Sequence, residues 1–374
     1  MTTLDGLLTG IVDAHVHYFN PMRSSWALAR FARVSDFPLR RFVPSPALRL
    51  VARIGSGDDR RYGLDSSILS SPYEPAQYSS DTVALLSVAG IGVESVGQVE
   101  SQWRPARDPA ELMDSSFDEL KYLTGLPHGQ KGPALGATVV AGDPRHPDFA
   151  GRVDRELAHS DRVRAVRFKW ARHPDPEIPD WCNEPDAVAS TAFLKGFESL
   201  ASRGLAFVSF AYSHQLGQLD MLARRFPETT IVVEHLGMPA GVFGPVGAET
   251  GMTAAARAAI LSLWRERIAM IATRPNVVIK VSGLGLSLLG YGRDTAGNIG
   301  SRAVLADMAG PLALHAVDRF GPDRVIFGSD SPVDRPNAPI GMTVGALLDV
   351  LGDRGDYLLQ QLFARNAKRI FRIS

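Results

Sequence analysis

The feature that most constrains the fold is an alternation between short apolar runs rich in β-branched residues and longer segments with helical spacing. This alternation is typical of a parallel sheet built from βα units. Eight apolar runs follow one another, at residues 10–14, 91–98, 134–140, 163–168, 205–210, 230–234, 276–281 and 324–327. Several are continuously apolar, as expected of strands that are buried on both faces.

Helical spacing of apolar residues fills the segments between these runs. The clearest examples are Leu216, Leu219, Leu222 and Phe226, then Ile260, Leu263, Trp264, Ile268 and Ile271, and finally Leu358, Leu362, Phe363 and Ile370. Each segment predicts a helix that covers the sheet. Because no change in loop pattern marks a switch point, the sequence predicts an α/β fold of the (β/α)8 TIM-barrel type, with residues 1–374 forming a single domain.

One long insertion interrupts the pattern after the first strand. Residues 18–77 are rich in Arg, Ser, Pro and Gly and far exceed a normal βα loop. A loop after a barrel strand lies at the C-terminal rim, so the insertion is either a lid over the site or a peripheral excursion that contacts another copy of the chain.

Charge and composition bear on partners and location. The chain has 40 basic and 40 acidic residues, so no net field attracts a polyanion, and nucleic acid is not an expected partner. The N-terminus lacks a signal-peptide pattern, and no apolar stretch is long enough to span a bilayer. We therefore expect a cytoplasmic protein that acts on a small molecule, without membrane partners, and homo-oligomer formation stays open.

Two histidines separated by one residue, His15 and His17, end the first predicted strand. Alternate side chains of a strand share a face, so both imidazoles can enter the mouth of the barrel and offer nitrogen ligands to one ion. Two surface histidines on an edge strand would give the same sequence pattern. The position at the C-terminal end of a barrel strand favours a functional pair.

Asp330 ends the eighth predicted strand, which neighbours the first in a closed barrel. A lone Asp after a strand is often a turn former or a helix cap. Here it can face His15 and His17 as a general base or as a metal ligand. His235 reaches the same rim from the sixth strand as a third imidazole.

Cations lie within otherwise apolar strands. Lys280 lies in the seventh, and Arg167 and Lys169 lie around the fourth. Such side chains point either outward or toward an anionic group inside the barrel. Strand alternation puts Phe168 on the other face from its neighbours, and we predict that Arg167 and Lys169 face inward.

Motifs from the first strand to the last helix carry a family resemblance. They read DAHVHYFNP, VESVGQVESQW, VRAVRFKWARHPDP, LARRFPETTIVVEHLGMP, RPNVVIKVSGLG, FGPDRVIFGSDSPVDR and LFARNAKRIF. The chain resembles the amidohydrolase-related barrel family of the amidohydrolase superfamily, which includes sugar lactonases and 2-pyrone-4,6-dicarboxylate lactonase, and more distantly the zinc-dependent aromatic-acid decarboxylases.

The resemblance implies a hydrolase that opens a lactone or a related ester-like bond. It implies that Asp330 activates water, that His235 assists catalysis, and that His15, His17 and Asp330 hold any metal. It assigns Arg167 to substrate binding, and Lys169, Tyr212 and Lys280 are further candidates for that role. The alternative is a metal-dependent decarboxylase of an aromatic or muconate-type acid.

One departure from the family's pattern concerns the metal. Zinc-dependent relatives usually carry a histidine at the end of strand 5, whereas here the nearest, His214, lies beyond the predicted strand. The resemblance therefore leaves two alternatives, one divalent ion, zinc or manganese, or hydrolysis without a metal.

Overall fold

Eight parallel strands, paired in sequence order, form the centre of the molecule in the computed structural model, which describes residues 3–20, 72–101, 109–291 and 299–374. The strands are β1 (Ile11–Val16), β2 (Val93–Val99), β3 (Ala134–Ala141), β4 (Val163–Lys169), β5 (Ala206–Phe210), β6 (Ile231–Val233), β7 (Val277–Val281) and β8 (Val325–Phe327). All eight predicted runs are strands, and the predicted barrel architecture is confirmed. The first strand runs two residues further than expected and includes His15.

Helices lie between successive strands and cover the outside of the sheet. They are α1 (Pro75–Thr82), α2 (Leu85–Val88), α3 (Pro109–Thr124), α4 (Phe149–His159), α5 (Thr191–Ser202), α6 (Leu216–Arg225), α7 (Ala254–Ala272), α8 (Arg302–Phe320), α9 (Ile340–Leu351), α10 (Asp356–Gln360) and α11 (Asn366–Phe371). Side-chain oxygens of Ser190, Thr253 and Ser301 accept backbone N–H groups at the starts of α5, α7 and α8. These caps satisfy donors that have no partner within the helix.

Two layers make up most of the apolar core of the described residues. A large layer lies between the strands and the helices, and a smaller one of mostly Ala and Val fills the inside of the barrel. Phe371 and Ile373, at the end of the chain, belong to the inner layer. The segment around Leu358 to Ile370, predicted to cover the sheet as one helix, is instead divided by a π-helical turn, and α11 closes the barrel interior from one end.

Hydrogen bonds between the first and last strands close the barrel. The backbone N–H of Asp330 donates to the carbonyl of His15 at 2.9 Å, and that of His17 donates to the carbonyl of Ser331 at 2.8 Å. The N–H of Ser329 donates to the buried carboxyl of Asp13 at 2.8 Å. This seam joins the C-terminal ends of the first and last strands.

The predicted insertion at residues 18–77 lies largely outside the described residues, which omit 21–71. Its two ends meet, because Phe19 and Tyr73 exchange backbone hydrogen bonds of 2.9 and 2.8 Å. Of the helices in the described ranges, none combines the length and the apolar character that crossing a membrane requires.

The loop that follows β4 is held by hydrogen bonds to one carboxylate. Asp175 accepts hydrogen bonds from the backbone N–H groups of Glu177, Ala248, Glu249 and Thr250, at 2.8 to 3.1 Å. The hydroxyl of Thr250 also donates to Asp175, at 2.9 Å. The loop after β4 is thereby joined to the loop after β6.

Candidate active site

The two histidines of β1 converge inside the mouth of the barrel. Their Nε2 atoms lie 3.1 Å apart, and both side chains are buried. The Nδ1 of His17 lies 3.0 Å from the carbonyl oxygen of Val99. Since that oxygen only accepts, Nδ1 of a neutral His17 carries the proton and Nε2 keeps a free lone pair.

Asp330 completes this cluster from the end of β8. Its Oδ1 lies 3.3 Å from the Nε2 of His15 and 3.2 Å from the Nε2 of His17. The backbone of Asp330 is left-handed, with φ +54°, a conformation that Asp and Asn adopt more readily than most residues. Burial tends to raise the pKa of Asp330, but His235 and His17 outweigh it and hold the pKa below its usual value. The carboxylate is therefore ionised at neutral pH.

His235 approaches the same cluster from the end of β6. Its ring centroid lies 4.9 Å from that of His15, and Phe210 presents its edge to the ring at 5.7 Å. The backbone at His235 is also left-handed, with φ +51°. Burial lowers the pKa of His235, as it does for His15.

Two buried carboxylates pair with cations beside the histidines. The guanidinium of Arg167 donates to Glu234 through Nε at 2.7 Å and to Glu100 through Nη1 at 2.8 Å. The ammonium of Lys169 lies 3.1 Å from Glu100. Arg167 and Lys169 thus face into the barrel as predicted, while Phe168 packs against Phe193 on the outer side.

Lys280 is fully buried in the network, with no exposed side-chain surface. Its ammonium is 3.5 Å from Glu234 and 3.4 Å from the Nδ1 of His15. The same carboxylate oxygen of Glu234 lies 3.3 Å from that Nδ1. Burial lowers the pKa of Lys280, and the charge of Glu234 opposes that effect.

The formal charges of this network balance. Glu100, Glu234 and Asp330 supply three carboxylates, whose pKa values are all held low, Glu100 and Glu234 by cations that outweigh the effect of burial. Arg167, Lys169 and Lys280 supply three cations. A divalent cation bound at His15, His17 and Asp330 would leave the region positive, which favours a hydroxide or an anionic intermediate.

The four candidate substrate-binding residues differ in access. The guanidinium of Arg167 is paired with both Glu100 and Glu234, and its side chain is 3% exposed. The hydroxyl of Tyr212 donates to the carbonyl of Pro179 at 2.9 Å. Lys169 is the most accessible of the three cations, with 16% of its side chain exposed. Their roles as substrate ligands stay predictions.

His214 does not join the cluster at the barrel mouth. It lies in a short 3-10 turn, Ser213–Gln215, and its ring stacks on Tyr212 with centroids 6.1 Å apart. The ring of His173 packs edge-on against His214 at 5.4 Å. His214 therefore does not take the place of the histidine that zinc-dependent relatives usually carry at the end of strand 5.

The spacing of the possible ligand atoms of His15, His17 and Asp330 fits a metal ion. Zinc bonds of about 2.0 to 2.1 Å in a tetrahedron put ligand atoms about 3.3 Å apart. The Nε2 atoms of His15 and His17 and the Oδ1 of Asp330 are separated by 3.1, 3.2 and 3.3 Å. In the described part of the chain, the other group of at least three close ligand atoms comes from His15, Glu234 and His235.

Sequence reasoning missed Glu100 and Glu234, which hold the cations. Glu100 follows β2 directly and Glu234 follows β6 directly, so each obeys the rule that identified Asp330, an acid just after a buried strand. It also missed Asp334, a buried carboxyl whose pKa burial and the charge of Asp330 raise well above its usual value. No sequence signal distinguished Asp334 from an ordinary turn residue.

Comparisons with known proteins agree with this architecture. The sequence pattern of the family described as "Amidohydrolase" matches residues 12–373. An uncharacterised protein of Sinorhizobium fredii, y4mH, is 30% identical over 235 residues, covering 60% of this chain and 66% of that protein. An L-fucono-1,5-lactonase of Burkholderia multivorans is 27% identical over 216 residues, covering 58% of this chain and 63% of the lactonase. Each alignment thus spans somewhat less than two thirds of the relative.

Solved structures give the same fold. A crystal structure of an amidohydrolase from Burkholderia multivorans with bound HEPES is similar, with a TM-score of 0.67 and 20% identity, covering 97% of this chain and 99% of that one. A second crystal form of an amidohydrolase from the same organism, with bound zinc, gives a TM-score of 0.63 at 21% identity, covering 97% of this chain and 99% of that one. At such identities, the likeness establishes a common architecture.

Proposed function

The chain belongs to the amidohydrolase family, and on that premise we propose that it is a hydrolase that opens a lactone or a related ester-like ring, using water activated by Asp330. The observation that carries the proposal is the contact of one carboxylate oxygen of Asp330 with the Nε2 atoms of both His15 and His17. The relative named L-fucono-1,5-lactonase makes sugar lactones the first substrate class to test.

In the proposed site, His15, His17 and Asp330 would hold one divalent cation, for which zinc or manganese is the first candidate. When bound, such an ion supplies Lewis acidity and lowers the pKa of a water molecule. The solved relative with bound zinc supports zinc as the ion to test first. A further open coordination position is typical of catalytic sites, which the three-ligand set allows.

The chain's own residues account for the proton transfers. Asp330 accepts a proton from water as the water oxygen bonds to the ring carbonyl carbon, and the carbonyl π electrons move to its oxygen. His235 stabilises that oxygen by hydrogen bonding. When the tetrahedral intermediate collapses, the ring C–O bond breaks, and the proton held by Asp330 passes to the leaving oxygen. The product is the open-chain hydroxy acid.

The access side of the proposed site is marked by His17 and Lys169, whose side chains are 8% and 16% exposed while most of their neighbours are nearly inaccessible. Lys169 is held by Glu100 at 3.1 Å and so keeps its cation at the entrance. We therefore propose that Lys169 meets the polar periphery of the substrate, while Arg167 and Lys280 set the charge beneath it.

The test is a substrate panel run on purified protein of measured metal content. Sugar lactones, a 2-pyrone dicarboxylate and several aromatic acids are each offered, and acid release and CO2 release are followed separately. Lactone opening that produces acid supports the proposal. Release of CO2 from an aromatic acid, with no lactone opened, would make the protein a decarboxylase.

Metal dependence is tested with a matched pair of histidine variants. His17→Ala should lose bound metal and turnover together, whereas His159→Ala, which changes an exposed histidine on α4, should keep both. Activity that survives exhaustive chelation, with no metal detected, would favour hydrolysis without a metal. Metal bound equally by both variants would exclude His17 as a ligand.

A further inference from the structure

A serine on the neighbouring strand end holds the ring of His235. Ser282 follows β7, and its Oγ lies 3.1 Å from the Nδ1 of His235. The backbone N–H of His235 also donates to this Oγ, at 3.3 Å. Both side chains are buried, so water does not compete freely for either group.

The hydrogen bonds of Ser282 determine which ring nitrogen carries the proton. A serine hydroxyl has one proton and two lone pairs, and the backbone N–H of His235 occupies one lone pair. Within the described ranges, the Nδ1 of His235 is the one acceptor in reach of the Ser282 hydroxyl. If Nδ1 were protonated, the Oγ would accept twice and a buried hydroxyl proton would have no acceptor, which is unfavourable.

The ring cannot easily turn to escape this arrangement. Gly283 packs so closely that a Cβ there would lie 2.4 Å from the Nδ1 of His235. The edge of Phe210 and the ring of His15 bound the imidazole elsewhere. Rotating the ring would break the contact between its Nδ1 and Ser282.

We infer that Ser282 is a positioning residue that fixes neutral His235 with its proton on Nε2. His235 then presents a hydrogen-bond donor to a substrate oxygen and cannot offer a nitrogen lone pair to an ion. The inference deepens the proposed function, because it assigns His235 to the carbonyl oxygen. It also removes His235 from the ligand group formed with His15 and Glu234 and leaves one metal position in the described residues.

Nitrogen NMR of protein labelled with 15N-histidine tests the inference without any substrate. The ring signals of His235 are identified by their loss in His235→Asn. We expect an unprotonated Nδ1 and a protonated Nε2 in the wild-type protein at neutral pH. Finding the proton on Nδ1 would overturn the inference while leaving the lactonase proposal untouched.

Variants of Ser282 give a second readout. Ser282→Ala should shift the His235 signals toward a mixture of tautomers and lower kcat by about 10- to 100-fold, less than the roughly 10²- to 10³-fold cost of removing an oxyanion donor outright, with little change in KM. Ser282→Thr, which keeps a hydroxyl, should retain much of the wild-type His235 signal pattern and of the wild-type kcat. Ser209→Ala is the matched control, since Ser209 is a buried serine at a strand end that accepts from Trp170 instead. A fall in metal content in Ser282→Ala would identify His235 as a ligand and refute the assignment.

Discussion

Replacing Asp330 by Asn separates chemistry from folding at the centre of the site. Asn keeps the shape of the side chain and tolerates the left-handed φ of +54° better than Ala would. The backbone bonds of this position, to the carbonyl of His15 and from the N–H of Asp334, do not involve the carboxylate. The substitution should therefore leave the barrel intact.

The cost to turnover follows from the contacts of the carboxylate. One oxygen of Asp330 faces two imidazole nitrogens, and an amide there can neither accept a proton from water nor balance a cation. Loss of general-base assistance corresponds to about 10²- to 10⁴-fold in rate, or about 3 to 5 kcal/mol of barrier. If the carboxylate also ligates a metal, the loss exceeds this range and metal content falls.

Three measurements check the prediction, namely turnover of an identified lactone, the thermal midpoint and the metal content. Asp143→Asn is the control, because Asp143 is another buried acid just after a barrel strand but binds Arg145 instead of the histidines. It should retain turnover. An Asp330→Asn protein that melts normally and turns over at a near wild-type rate would refute the assignment of Asp330.

Two further predictions concern stability. Burial between α3 and α4 raises the pKa of Glu156 to about 8, above its usual value of 4.5. The folded state therefore holds this proton, and the wild-type protein loses stability as pH rises between these two values. The free energy of unfolding of Glu156→Gln, measured in urea, should gain on that of the wild type by about 1.4 kcal/mol per pH unit across that interval, and parallel pH curves would contradict this. Asp175→Ala removes the acceptor that joins two rim loops, so amide hydrogen exchange should accelerate in residues 172–189. Unchanged protection in these residues would show that other contacts hold the loop in place.

Much of the fold could be predicted because its signals are local. Each strand is a short apolar run bounded by turn residues, and parallel strands necessarily deliver their C-terminal residues to one rim. That rule brings His15, His17, His235 and Asp330 together from the ends of three strands that are far apart in the sequence. No long-range information was needed for this step.

The remaining features depend on distances across the barrel that a sequence does not contain. The pairing of Arg167 with both Glu100 and Glu234 requires three strand ends to lie within hydrogen-bond reach. The insertion of Phe371 into the inner layer depends on the shape of the opening that it fills. The contact of Ser282 with His235 depends on backbone angles that periodicity does not report.

The seam between β1 and β8 has a consequence for how this enzyme acquires activity. Its bonds join residues more than 300 positions apart, such as Asp13 and Ser329. Contacts of such long range form late because closing the intervening chain is entropically costly. His15 and Asp330 lie on opposite sides of the seam, so an intermediate whose eight strands are joined by seven pairings, with the seam still open, has no reaction centre. Recovery of activity after dilution from denaturant should therefore report the final closure of the barrel, and should lag behind the recovery of helical signal.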